Sequence, residues 1–216
     1  MKQVRLQRIP PHLTPQKGEI ILFSNRLLER LSRISPQTVL AVYLPMIAFA
    51  IWKSFAVNVG AAKFGMVFLA GIVFWTFFEY VLHRYVFHFF PEGGFQKRLQ
   101  FLFHGVHHQY PNDKDRLVMP VTLSLFIAAV IFVLLRFVFG ELVWGIFAGF
   151  ALGYLAYDMT HYSIHHARTP KNAYFRKLWK HHMDHHYRDT NKGYGVSSAA
   201  WDHVFGSLQD KKANSE

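Results

Sequence analysis

The sequence contains no cysteine and little charge: 17% of its 216 residues are Asp, Glu, Lys or Arg, and 13 of these are acidic. Without thiols there can be no disulfide, zinc ribbon, iron–sulfur cluster or thiolate-ligated haem, so any bound metal must be held by nitrogen or oxygen. Scarce acid leaves a formal net charge of +11. That excess does not read as a nucleic-acid patch, because the basic residues follow the flanks of apolar segments. No apolar stretch lies close to the first residues, so a cleaved signal peptide is not expected. What the chain has in quantity is apolar surface and histidine: 51% hydrophobic residues, 22 phenylalanines and 14 histidines. This composition excludes disorder, and the length suits one domain.

Four strongly apolar runs, with their amphiphilic ends, cover about 38–59, 62–82, 117–138 and 141–158. A bilayer core of roughly 30 Å needs about 20 helical residues, so each run is a candidate span. A soluble protein of this length would have almost no surface left after burying four such helices. The links between runs one and two and between three and four are very short, which makes two helical hairpins. Of the 24 Lys and Arg, seven lie in 1–36, five in 84–116 and nine in 168–212, leaving Lys53, Lys63 and Arg136. The positive-inside rule then puts both termini and the central polar segment in the cytoplasm. Expected, therefore, is an all-α integral membrane protein with four transmembrane helices in two hairpins. A cytosolic helical cap is built from 83–116 and 159–210, within a single domain over 37–216. The preceding residues 1–36 begin with Pro10, Pro11 and Pro15. They then carry Ile20, Ile21, Phe23, Leu27, Leu28, Leu31 and Ile34 at helical spacing, an amphipathic helix suited to the membrane surface. Gly145, Gly149 and Gly153 form a small-residue face on the fourth span, suited to close helix packing.

Twelve histidines fall in four clusters at the cytoplasmic ends of the spans or in the polar segments beyond, with His12 and His203 apart. His161 and His165 are spaced i, i+4, and His104, His107, His108 share the HxxHH spacing with His182, His185, His186, so each set can share a helix face. The repeat of HxxHH favours His182 over His181, and the i, i+4 pair favours His165 over His166. His83 and His88 are five apart, about 140° around an ideal helix. Either they serve different ions or the helix unwinds between them. The favoured ligands are His83, His88, His104, His107, His108, His161, His165, His182, His185 and His186, which suits two ions with roughly five imidazoles each. Glu79, Asp158, Asp184, Asp189 and Asp202 are candidates to accept the second ring N–H of a bound imidazole. Glu79 is the strongest, because an acid at the end of an apolar span needs a partner.

HRYVFH (83–88), HGVHH (104–108), HYSIH (161–165) and HMDHH (182–186) resemble the histidine boxes of the membrane fatty acid hydroxylase and sterol desaturase superfamily. HHQYPNDKDRLVMP (107–120), YDMTHYSIHH (157–166), GYGVSSAAWDHVFG (193–206) and LFSNRLLERLSRISP (22–36) are similar to its fatty acid 2-hydroxylase branch. The resemblance runs from about residue 22 to 208. It implies four spans, a cytosolic cap, the ten histidines above around a dimetal centre, and hydroxylation at C-2 of a long acyl chain of a fatty acid or ceramide. His166 and His181 fall outside that implied ligand set.

Hydroxylating an unactivated C–H bond requires a redox metal and O2. Iron is expected in the active protein, although zinc, which has no redox chemistry, can fill the site during purification. Nothing in the chain resembles a cytochrome b5 domain, so an external donor of the cytochrome b5 or ferredoxin type is expected. Trp75, Phe78, Phe87 and Trp201 are candidates to line the acyl groove. A sterol or carotenoid substrate is the nearest rival. A histidine-rich metal transporter is a more distant one, because transporters place ligands near mid-membrane and these spans have no histidine at their centres. Lys211 and Lys212 lie too far from Glu216 for a dilysine retrieval signal, which favours a bacterial inner membrane over the endoplasmic reticulum.

Overall fold

In the computed structural model, residues 14–89 and 93–210 are described. Pro10, Pro11, His12 and the Lys211–Lys212 pair lie outside them. Among the described residues the regular structure is helical: α1 (Arg26–Leu31), α2 (Pro36–Ala56), α3 (Ala61–Val81), α4 (Gly94–Gln100), α5 (Val106–Gln109), α6 (Val121–Phe139), α7 (Val143–His166), α8 (Ala173–Tyr187) and α9 (Ala200–Val204).

Three continuous helical stretches are long and apolar enough to cross a bilayer: Pro36–Ala56, Ala61–Phe87 and Val121–His166. The expectation was four separate runs. The last two are joined because a single tight turn, Gly140–Leu142, links α6 to α7. That stretch is nonetheless folded back at Gly140, whose φ of 56° suits glycine. Phe132 of α6 packs on Trp144 and Phe147 of α7, with ring centroids 4.9 and 5.2 Å apart. In a straight helix the last pair would be about 22 Å apart along the axis.

α7 is the central helix, and its buried glycines explain how closely α3 approaches. A Cβ on Gly149 would collide with the backbone carbonyl of Phe68, and one on Gly71 with that of Ile146. Gly145 faces Val67, and Gly153 lies under the Trp75 ring. α2 packs on the same helix through Tyr43, whose ring centroid is 4.6 Å from that of Tyr154. The outward faces of α2, α3 and α6 present Leu44, Phe49, Met66, Leu69, Phe126 and Phe137, an apolar exterior suited to lipid rather than water.

Two expected helices are shorter. Residues 117–120 are not helical; Pro120, with no N–H to donate back to a preceding turn, stands immediately before α6 at its N-cap. Leu117 and Val118 are buried, but in a bent, non-helical segment. The N-terminal amphipathic helix is confined to Arg26–Leu31. Asn25 caps it by accepting from the N–H groups of Leu27 and Leu28. The chain before it has no regular structure and donates from Leu22 and Phe23 to the Glu29 carboxylate. This N-terminal strap is fastened to the segment before α6. Ile34 donates to the Asp115 carbonyl at 2.9 Å, and Arg116 reaches the Ile20 carbonyl, the Ser32 hydroxyl and Glu29.

Candidate metal centre

Each histidine box is placed by a local departure from, or fit to, α-helical geometry. At the end of α3 the helix widens over Leu82–Phe87, and the His88 N–H bonds the His83 carbonyl five residues back at 3.1 Å. Such π-type turns are frequent at functional sites. The widening resolves the five-residue spacing: His83 and His88 face the same point, not different ones. A second wide turn, Phe101–Gly105, precedes α5 and carries His104. His161 and His165 occupy the last turns of α7, and the fourth box lies on α8.

The ten histidines converge as two groups of five. The first holds His83, His88, His104, His108 and His185, and the second His107, His161, His165, His182 and His186. Within each group the five ring nitrogens lie within 4.8 Å of one another. The two HxxHH boxes are shared reciprocally. In each, the i, i+4 pair enters one group and the middle histidine the other, so the three residues of a box do not act together. The groups adjoin where His108 and His186 stack, with centroids 4.1 Å apart. His166 and His181 belong to neither group: His166 packs on Tyr162, and His181 bonds Asp202 at 3.0 Å.

The chemistry of this donor set calls for cations. His104 Nε2 lies 3.0, 3.2 and 2.9 Å from the Nε2 atoms of His83, His88 and His108. One ring nitrogen offers either one proton or one lone pair, so these contacts cannot all be hydrogen bonds. His83 and His185 donate from Nδ1 to the carbonyls of Tyr194 and Lys192, which leaves lone pairs on their Nε2 atoms. In the second group, His107 Nε2 lies 2.9 Å from His161 and 3.1 Å from His186, and His182 lies 3.0 Å from His165. Nitrogens at right angles around an ion with 2.0–2.1 Å bonds would be about 2.9 Å apart, and opposed ones about 4.2 Å. Both groups fit one five-coordinate ion each after a contraction of a few tenths of an ångström. Burial first, and neighbouring imidazoles second, hold His88, His104, His107, His108, His182 and His186 well below the usual histidine pKa, so they are neutral and ready to ligate.

The acids are placed differently from expectation. Glu79 hydrogen-bonds no histidine among the described residues: it accepts from the Val196 and Ser197 N–H groups at 2.6 and 3.0 Å and from the Ser197 hydroxyl. Asp202 accepts from the N–H groups of Tyr194 and Gly195, from Ser207 and from His181. Burial alone would raise its carboxyl, but these bonds outweigh it and keep the pKa below the ordinary value. Asp184 pairs with Lys180 and Arg188, a surface charge cluster. Asp189 caps a turn by accepting from the Asn191 N–H at 2.9 Å. Asp158 is buried beside the second group, and its Oδ2 has no hydrogen-bond partner among the described residues.

A cavity of about 220 Å³ borders both groups, through His104 on one side and His107 and His161 on the other. Its remaining wall is mostly apolar, chiefly Phe87, Leu117, Val118, Met119 and Leu123, with Ser32, Arg116, Tyr157 and Asp158 as polar members and Leu22 and Phe23 of the strap alongside. Of the four aromatic residues expected to line a groove, Phe87 does so. Trp75 and Phe78 line a separate, smaller apolar cavity inside the helices, and Trp201 donates to the Thr76 hydroxyl at 3.1 Å.

Residues 68–207 match the family model described as fatty acid hydroxylase. The chain belongs to the fatty acid hydroxylase family. It is 33% identical to the fatty acid 2-hydroxylase of Mus musculus over 93% of this chain and 59% of that one. It is 37% identical to a dihydroceramide fatty acyl 2-hydroxylase of Arabidopsis thaliana, over 80% of this chain and 73% of that one. A solved structure described as full-length scs7p, with only its hydroxylase domain visible, superposes with a TM-score of 0.83 at 36% identity. It covers 88% of this chain and 72% of its own. The chain thus spans less than two thirds of the length of the mouse relative.

Proposed function

We propose that this family member is a membrane-bound, O2-dependent hydroxylase that places a hydroxyl on C-2 of a long acyl chain, in a fatty acid or the acyl part of a ceramide. The observation that carries the reading is one apolar cavity bordered by both five-histidine groups. Similarity to a fatty acid 2-hydroxylase and a dihydroceramide fatty acyl 2-hydroxylase favours acyl chains over sterols or carotenoids. The ten histidines are the ligands of two ions, iron in the active protein. When bound, these supply the O2 and electron-transfer chemistry that side chains lack. The reaction balances as R–CH2 plus O2, two electrons and two protons giving R–CHOH and water, with the electrons from an external cytochrome b5 or ferredoxin-type donor.

The chain's own residues bind, orient and shield. Leu117, Val118, Met119 and Leu123 exclude water and hold the acyl chain, so that one carbon rests against His104, His107 and His161. The free oxygen of Asp158 offers the polar head a hydrogen bond beside that carbon. The strap closes over the far side through Leu22 and Phe23. In this reading α2, α3, α6 and α7 are four spans in two hairpins, residues 83–116 and 159–210 form the cytosolic cap, and both termini are cytoplasmic. Residues 37–216 form one hydroxylase domain, and the exposed Leu27, Leu28 and Leu31 of the 1–36 segment rest on the membrane surface. Lipid mass spectrometry of a host with and without the protein tests the activity. A rise in 2-hydroxy acyl chains is expected, and a changed sterol or carotenoid profile with no such rise would refute it.

A further inference from the structure

The two five-histidine groups are supported unequally by the surrounding protein. In the first, Nδ1 of His83 donates to the Tyr194 carbonyl, and Nδ1 of His185 to the Lys192 carbonyl at 2.8 Å. Both carbonyls belong to one loop, which is itself fixed from two sides. Glu79, from α3, takes the N–H groups of Val196 and Ser197, and Asp202, from α9, takes those of Tyr194 and Gly195 at 2.9 and 2.7 Å. The Gly193 N–H bonds the Ser207 carbonyl at 2.8 Å, and the Gln209 amide donates to the Lys192 carbonyl at 2.9 Å. A side chain at Gly195 would strike the Ser198 carbonyl, so the loop's compact path requires glycine there.

The second group has no comparable support. Nδ1 of His107, His161, His182 and His186 is buried without a hydrogen-bond partner among the described residues. In the first group His108 shares that condition. His165, also in the second group, is the one histidine of the ten that is not fully buried. A carbonyl on the far ring nitrogen fixes the tautomer and ring angle and makes the ligating nitrogen more basic, and losing such a partner typically costs 10–100-fold in metal affinity.

We propose that the 192–197 loop is a clamp for one ion alone. The His83/His185 site retains its metal, the His107/His165 site exchanges its own, and Glu79 and Asp202 are positioning residues for the first site only. This rests on the dimetal reading above. The test uses the full chain in detergent, loaded with redox-silent zinc and challenged with excess chelator, with retained zinc followed by elemental mass spectrometry. Two ions per chain should leave in two equal phases whose rates differ by about tenfold or more. Glu79→Gln and Asp202→Asn should accelerate the slow phase about tenfold and leave the fast one unchanged. Ser197→Ala, which spares both backbone bonds to Glu79, should do so more weakly in a protein that still folds. His165→Ala should abolish the fast phase and keep the slow one. A single phase in the unaltered protein, equal acceleration of both phases, or loss of the slow phase in His165→Ala overturns the unequal clamp. Fewer than two zinc ions at the start would instead sink the dimetal reading.

Discussion

Arg116 holds the strap over the cavity, and its removal has a calculable cost. Its side chain is 2% exposed and pairs with Glu29, and with Asp113 at 3.5 Å, whose side chains are 17% and 1% exposed. It also donates to the Ser32 hydroxyl at 2.8 Å and the Ile20 carbonyl at 3.2 Å. Arg116→Met keeps most of the volume but leaves buried Asp113 without this cation and Glu29 paired with Arg33 alone, at 3.2 Å. Breaking a buried pair by removing one partner costs about 3–5 kcal/mol, mostly from the charge left behind. Glu29 retains some water contact, so the lower end applies. At about 2–4 °C per kcal/mol for a chain of this size, Tm should fall by roughly 6–12 °C. Adding Glu29→Gln removes the carboxylate that has lost one of its two cations and should restore part of the loss, giving a coupling of about 1–2 kcal/mol in the double-mutant cycle. Thermal melts of the four proteins in one detergent measure this, and limited proteolysis should show earlier cutting within 14–34 in Arg116→Met. A Tm within 2 °C of the unaltered protein, with the strap equally resistant, would refute the assignment of Arg116 as the strap's anchor.

Three further outcomes follow from the same geometry. Gly149→Val should force α3 and α7 apart at the Phe68 carbonyl, costing more than the roughly 1–3 kcal/mol of ordinary overpacking; a monodisperse protein with unchanged Tm would contradict the close approach. The metal-free protein should lose stability as pH falls below about 6.5. His104, His107, His108, His182 and His186 are held neutral in the fold well below that value, whereas the unfolded chain takes up their protons. Stability is therefore full above pH 6.5 and declines by up to about 1.4 kcal/mol per pH unit for each histidine; a flat Tm from pH 7 to 5 in the apo protein would refute it. Asp158→Asn should lower hydroxylation at least tenfold while two ions remain bound, measured by product formation beside metal content; undiminished turnover would remove Asp158 from the cavity's function.

Much of this arrangement was legible in the residues themselves. Apolar runs and basic flanks mark the helices, because lipid-facing segments have few other compositions. The i, i+4 spacings of His161–His165 and His182–His186 place those pairs, because α geometry is regular there. What escaped depends on departures from that geometry or on backbone atoms. The wide turn at 82–87 brings His83 and His88 together, and no side chain announces it. The reciprocal sharing of the two HxxHH boxes emerges only when α5 and α8 pack against each other. The supports of His83 and His185 are the carbonyls of Tyr194 and Lys192, which carry no side-chain signature, so Glu79 and Asp202 were expected at the histidines rather than on the loop behind them. Asp184 was misplaced because a carboxylate inside a histidine cluster can as readily face Lys180 and Arg188. Pro120 immediately precedes α6 whereas Pro45 lies inside α2, so a proline in an apolar run does not by itself mark where a helix starts.

The most direct test of the account pairs metal content with product on the same preparations. Purified protein should hold two metal ions per chain, and its host should accumulate 2-hydroxy acyl chains. Alanine at His185 or at His107 should remove one ion and all product, whereas alanine at His166 should spare both. Unchanged metal content in the His185 and His107 variants, or 2-hydroxy product made without metal, would contradict the central claim.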